Sequence, residues 1–137
     1  MRILGISAFY HDSAAALLED GRVIAAAEEE RFTRQKHDNA FPLRAVRSCL
    51  EVAGIGIGDL DAVAYYEKPL LKFERLLTSF VETYPRSLVP FVRAIPEWLD
   101  RKIKIERIIR RELGYRGELF FIPHHVSHAA AAFYPSP

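Results

Sequence analysis

The sequence predicts an α/β fold built on one mixed five-stranded sheet, opening as an antiparallel three-strand meander and continuing into helix-connected parallel strands, with helices flanking the sheet. Three observations predict it. Three short apolar runs follow one another between Arg2 and Ala27, too closely spaced for a helix to intervene. The second and third are joined by Asp20-Gly21, a pair that suits a tight hairpin because both residues tolerate positive φ. Two later strand-like runs each follow a stretch of helical periodicity, and a strand reached through a helix crossover lies parallel to its neighbour.

The elements follow in order. Arg2 to Ala8 is apolar with β-branched residues and Gly5 inside it, a first strand. Phe9-Tyr10-His11-Asp12-Ser13 is a polar turn, Ala14 to Leu18 a second strand and Arg22 to Ala27 a third. Glu28-Glu29-Glu30-Arg31 runs on into a charged loop from Phe32 to Phe41. Pro42 opens a helix reaching Ala53, with Leu43, Val46, Leu50 and Ala53 on one face. The glycines from Gly54 to Gly58 end it, and Asp61 to Glu67 is a fourth strand. Leu70 to Leu113 reads as a helical insertion, punctuated by Pro85, Pro90 and Pro96. Ile95-Pro96-Glu97-Trp98 marks a helix start there, with Trp98, Ile105, Ile109 and Leu113 directed inward. Gly114 to Gly117 is a stop, Glu118 to Ile122 a fifth strand, and after Pro123 a helix begins at His124.

Composition narrows the function classes. The 137 residues suffice for one core, and 50% hydrophobic with 27% charged residues is ordinary for a globular domain, not a disordered one. A formal net charge of +1 leaves the whole chain without the electrostatic pull of a nucleic-acid binder. The one cysteine, Cys49, allows no internal disulfide and reads as a small buried hydrophobe. No apolar run approaches the ~20 residues of a membrane span. The N-terminal run is broken by Tyr10-His11-Asp12, as in a buried strand rather than a signal peptide, so the cytoplasm is the expected compartment. The ending Pro135-Ser136-Pro137 is expected to lead into a further element, the chain being truncated there.

Four stretches carry candidate chemistry. In Pro123-His124-His125-Val126-Ser127-His128, residues four apart share a helix face, so His124 and His128 can present two imidazoles to one divalent ion. No Glu follows the first His, so a protease base is missing, and a third ligand has to come from elsewhere. The alternatives are a pairing of His125 with His128, or three histidines that merely flank a helix start. In the first turn, His11 offers acid–base chemistry, Asp12 can hold a metal or orient His11, and Ser13 offers a hydroxyl and an N–H; a plain polar β-turn is the alternative. Arg34 and Lys36 can hold a phosphate or carbamoyl group, or belong to a solvated charged loop. The basic helix from Arg101 to Arg116 is diluted by Glu106 and Glu112 and reads as a solvated face rather than a nucleic-acid surface.

The element order resembles the ribonuclease-H-like domain of the actin, heat-shock ATPase and sugar-kinase superfamily. Because those proteins carry two such domains, residues 1–137 are expected to be the N-terminal half-domain of a longer polypeptide. Three stretches together resemble the nodulation-factor and antibiotic O-carbamoyltransferases: Ile3 to Ser7 with His11-Asp12-Ser13-Ala14-Ala15; Glu28 to Arg34 with Lys36-His37-Asp38 and Phe41-Pro42; and Pro123 to Ala129. That resemblance implies ATP and carbamoyl phosphate as substrates, joined in a carbamoyl-adenylate, and transfer of the carbamoyl group to a sugar or natural-product hydroxyl. It implies a divalent metal, iron(II) before magnesium or manganese, on His124 and His128, with His11 near the transferred group. The adenylating domain and the carboxylate ligands would lie past Pro137, leaving this segment inactive alone. The partners implied are small-molecule substrates, the remaining polypeptide and a second copy in a homodimer, with no membrane and no nucleic acid. Two rival readings are carbamoyl transfer in tRNA modification or hydrogenase maturation, and a non-catalytic nucleotide- or partner-binding module.

Overall fold

Side chains alternate across a strand, so one sheet offers two faces, and among the described residues one of them is sealed. A computed structural model describes residues 1–68, 77–85, 88, 104–134 and 136. The sheet comprises β1 (Arg2–Ser7), β2 (Ala14–Glu19), β3 (Arg22–Glu28), β4 (Ala62–Tyr65) and β5 (Glu118–Phe121), in the order β3-β2-β1-β4-β5. β1–β2 and β2–β3 are antiparallel, whereas β4 and β5 run parallel to β1. The predicted meander and crossover strands are therefore present. Asp20 and Gly21 both take positive φ, 49° and 80°, as the hairpin requires.

Register places Leu4 beside Leu17 and Val63, and Ile6 beside Ala15 and Tyr65. These residues form the sealed face, covered by α2 (Leu43–Ala53) and α3 (Ile105–Leu113) through Ala45, Val46, Cys49, Ile105 and Ile109. Leu4, Leu17, Val63 and Ile109 are fully buried, each stabilising the fold by about 1.5–3 kcal/mol. The opposite face carries Gly5, Ala14, Ala16 and Ala64 over an open cleft of about 850 Å3, bounded by α4 (His124–Phe133).

The structure departs from the sequence reading in four places. The expected charged loop holds a one-turn helix, α1 (Glu30–Thr33), closed by Arg34 in the left-handed conformation. Leu43 is exposed and the inward face of α2 centres on Ala45, Val46 and Cys49, with Leu50 and Ala53 at its margin. α2 lies over Ala15 of β2 and Ala25 and Ala27 of β3, with Cys49 Sγ 3.5 Å from the Ala15 carbonyl, so small side chains bring helix and sheet close. The glycine-rich stop after α2 winds into a 3-10 turn, Ile57–Asp59. β4 ends at Tyr65 rather than Glu67, although Tyr66 N–H still donates to the Ile6 carbonyl at 3.2 Å. Within the expected insertion, residues 77–83 and α3 are helical; Trp98 and the start expected at Ile95 lie outside the described residues. Among the described residues no helix is long and apolar enough to cross a membrane.

Candidate active site at the carboxyl ends of the parallel strands

Parallel strands β1, β4 and β5 end on the same side of the sheet, where ligands of α/β sheets characteristically bind. The turn after β1 carries His11, Asp12 and Ser13; the helix after β5 carries His124 and His128. Topology thus brings the two ends of the sequence to one edge.

Helix α4 is fastened there by Ser127, whose Oγ lies 3.0 Å from the Tyr66 carbonyl and 2.7 Å from that of His124. Ile122 N–H also donates to the Tyr65 carbonyl, at 2.9 Å. The one-turn spacing of His124 and His128 then sets their Nε2 atoms 3.1 Å apart. Two imidazole nitrogens sharing a tetrahedral cation at about 2.0–2.1 Å stand about 3.3 Å apart, so this pair fits a shared divalent ion with little adjustment. His125 is exposed and outside the pair. Among the described residues no group of three His, Cys, Asp or Glu side chains gathers for a metal.

Tyr66, which sequence reasoning passed over, connects the two motifs. Its ring meets His124 edge-on at 5.5 Å. Its phenol is pushed above the ordinary range by burial first, then by the Glu67 carboxylate and the Tyr10 phenol, which places Tyr10 of the β1–β2 turn in its electrostatic neighbourhood. Tyr10 in turn packs against the His11 ring at 4.2 Å. Buried Tyr65 is likewise raised, chiefly by burial, and donates its O–H to the Ala8 carbonyl at 2.8 Å, holding the base of the turn.

The turn itself is zipped to the segment before α2. Phe9 N–H donates to the Asn39 carbonyl at 2.9 Å, while Ser13 donates its N–H and Oγ–H to the Asp38 carbonyl at 2.8 and 2.9 Å. Ser13 is fully buried, so its hydroxyl ties this zipper together. Asp12 is turned to His37, with Oδ1 3.0 Å from Nδ1, and not to His11 as the sequence suggested. Arg34 and Lys36 are exposed on the adjoining segment.

Glu29 corrects the solvated reading of the acidic run. It is buried, and its carboxylate accepts the N–H groups of Arg44 at 3.3 Å and Ala45 at 2.8 Å, capping α2 where Pro42 offers no side-chain cap. Its own N–H donates to the Ser13 carbonyl at 2.9 Å, so one residue anchors the turn, α1 and α2. The signal for it is faint: a Glu in a charged run whose amide partners lie well downstream.

Known proteins resemble this chain. The uncharacterized protein sll1178 of Synechocystis is 48% identical over 98% of this chain and 23% of its own length. The nodulation protein NolNO of Sinorhizobium fredii is 40% identical over 91% of this chain and 18% of its own. The chain thus spans about a fifth of the length of these relatives. Among solved structures, YeaZ from Pseudomonas aeruginosa matches 50% of this chain and 31% of its own at 24% identity, with a TM-score of 0.36, a likeness too slight to carry an argument. The family described as carbamoyltransferase N-terminus matches residues 2–137, and this chain belongs to that family.

Proposed function

We propose that this chain is the transfer portion, a ribonuclease-H-like half-domain, of an ATP-dependent O-carbamoyltransferase whose acceptor is a sugar or natural-product hydroxyl. Family membership and the likeness to a nodulation protein support carbamoyl transfer; the hydroxyl acceptor is what the motifs' resemblance to the O-carbamoyltransferases implies. The single observation carrying the site is the His124–His128 Nε2 pair, 3.1 Å apart, on the same sheet edge as the His11 turn.

A carbamoyl carbon is a poor electrophile until it carries a good leaving group, which the adenylate supplies, and transfer then needs the donor held while charge gathers on the departing phosphate. His124 and His128 would hold the divalent ion, iron(II) before magnesium or manganese, which when bound supplies charge neutralisation at phosphate oxygens. Arg34 and Lys36 supply positive charge for the same anion, and His11 offers a hydrogen bond to the transferred group. Ser13 keeps the turn in place through Asp38. The remaining ligands and the adenylating machinery belong to the rest of the longer polypeptide.

The test is made on the full-length polypeptide, supplied with ATP, carbamoyl phosphate and an acceptor sugar. His124→Ala and His128→Ala are each expected to abolish carbamoyl-sugar formation without unfolding the protein. Wild-type turnover by both variants would remove the site.

A further inference from the structure

Asp12 is spent on His37, and that pairing has the architecture of an oriented base. A carboxylate only accepts hydrogen bonds, so Nδ1 of His37, 3.0 Å from Asp12 Oδ1, carries the proton. In the neutral ring this leaves Nε2 with its lone pair. The ring is 85% exposed, so Nε2 is open to an incoming hydroxyl. His37 takes φ 56°, a left-handed conformation uncommon outside glycine, and its N–H faces Glu30 Oε2 at 3.4 Å. The next residue, Asp38, is buried and held to Ser13, which fixes the loop against the turn. His11, by contrast, meets the edge of Tyr10, a contact that selects no tautomer.

We propose that His37, oriented by Asp12, is the general base of the transfer step, with His11 left to bind the carbamoyl group. The inference rests on the carbamoyl-transfer reading above. In the step, the acceptor O–H gives its proton to His37 Nε2 and the acceptor oxygen bonds to the carbamoyl carbon. The bond from that carbon to the phosphate oxygen breaks, and its electron pair leaves with AMP. The imidazolium then returns the proton to water.

The experiment compares His37→Ala, His37→Asn and His11→Ala in the full-length polypeptide, with carbamoyl-sugar formation as readout. His37→Ala is expected to lower kcat by about 10²–10⁴-fold, with the acceptor KM within about threefold of wild type. Added imidazole should restore part of the rate. His37→Asn keeps an N–H for Asp12 but has no basic nitrogen, so it should fold like wild type and stay slow. Full activity in His37→Asn would make the residue a hydrogen-bond tie and overturn the base. Wild-type kinetics in His37→Ala, with His11→Ala inactive, would overturn the base and leave the transfer site standing. Wild-type kinetics in all three would remove the turn from the chemistry altogether, and the base with it.

Discussion

Replacing Glu29 by glutamine removes one charge from the point where the turn, α1 and α2 meet. The Glu29 carboxylate receives two backbone N–H groups at the start of α2, at 3.3 and 2.8 Å. A hydrogen bond to a charged acceptor contributes about 1.5–3 kcal/mol. Glutamine keeps one accepting oxygen and turns an NH2 group toward the other N–H, so about one such bond is lost. The anion's favourable position at the helix N-terminus goes too, worth about 0.3–1 kcal/mol. The sum is about 2–4 kcal/mol for Glu29→Gln, and more for Glu29→Ala, which orphans both amides. For a chain of this size each kcal/mol lowers Tm by about 4 °C, giving a drop of about 8–16 °C. Thermal unfolding followed by far-ultraviolet circular dichroism measures it, and amide exchange at Arg44 and Ala45 localises it. A loss under about 0.5 kcal/mol would refute the idea that this buried carboxylate anchors α2.

Two further predictions follow from burial. Cys49 is 1% exposed and its thiol is pushed up by burial, so alkylation of the native chain should run at least about a hundredfold slower than in denaturant; equal rates would show that α2 does not seal the sheet. The Tyr65 and Tyr66 phenols are held above their ordinary range by burial, so the folded chain keeps protons that the unfolded chain releases above about pH 10. The unfolded state then binds fewer protons, so stability falls as pH climbs beyond that point. An ultraviolet titration should show these two ionising only with unfolding; early ionisation of both would contradict their burial.

The sheet was legible because its signals are local. Alternation along β1 and β2 and the Asp20-Gly21 pair act over a few residues, and the i, i+4 histidines of α4 follow from the helical repeat alone. What stayed hidden depends on contacts distant in sequence. The amide of Ala45 lies 16 residues from the Glu29 carboxylate, and His37 lies 25 from Asp12, so nothing near either acid marks it as buried or paired. The α2 face was misread for a related reason. Hydrophobicity favours Leu43, yet Ala45, Val46 and Cys49 are the buried residues of α2 and Leu43 is exposed, because the side of the helix that meets β2 and β3 is set by packing across the sheet. Tyr66 looks like one more strand aromatic until β4 and α4 are placed side by side.

The central claim is that His124 and His128 act as one cation-binding pair. Metal content after loading the full-length polypeptide with iron(II) or manganese tests it most directly, using His124→Ala, His128→Ala and the neighbouring His125→Ala. One ion retained by His125→Ala and lost from both of the others is the predicted result. Equal uptake by all three proteins, or loss in His125→Ala alone, would contradict it.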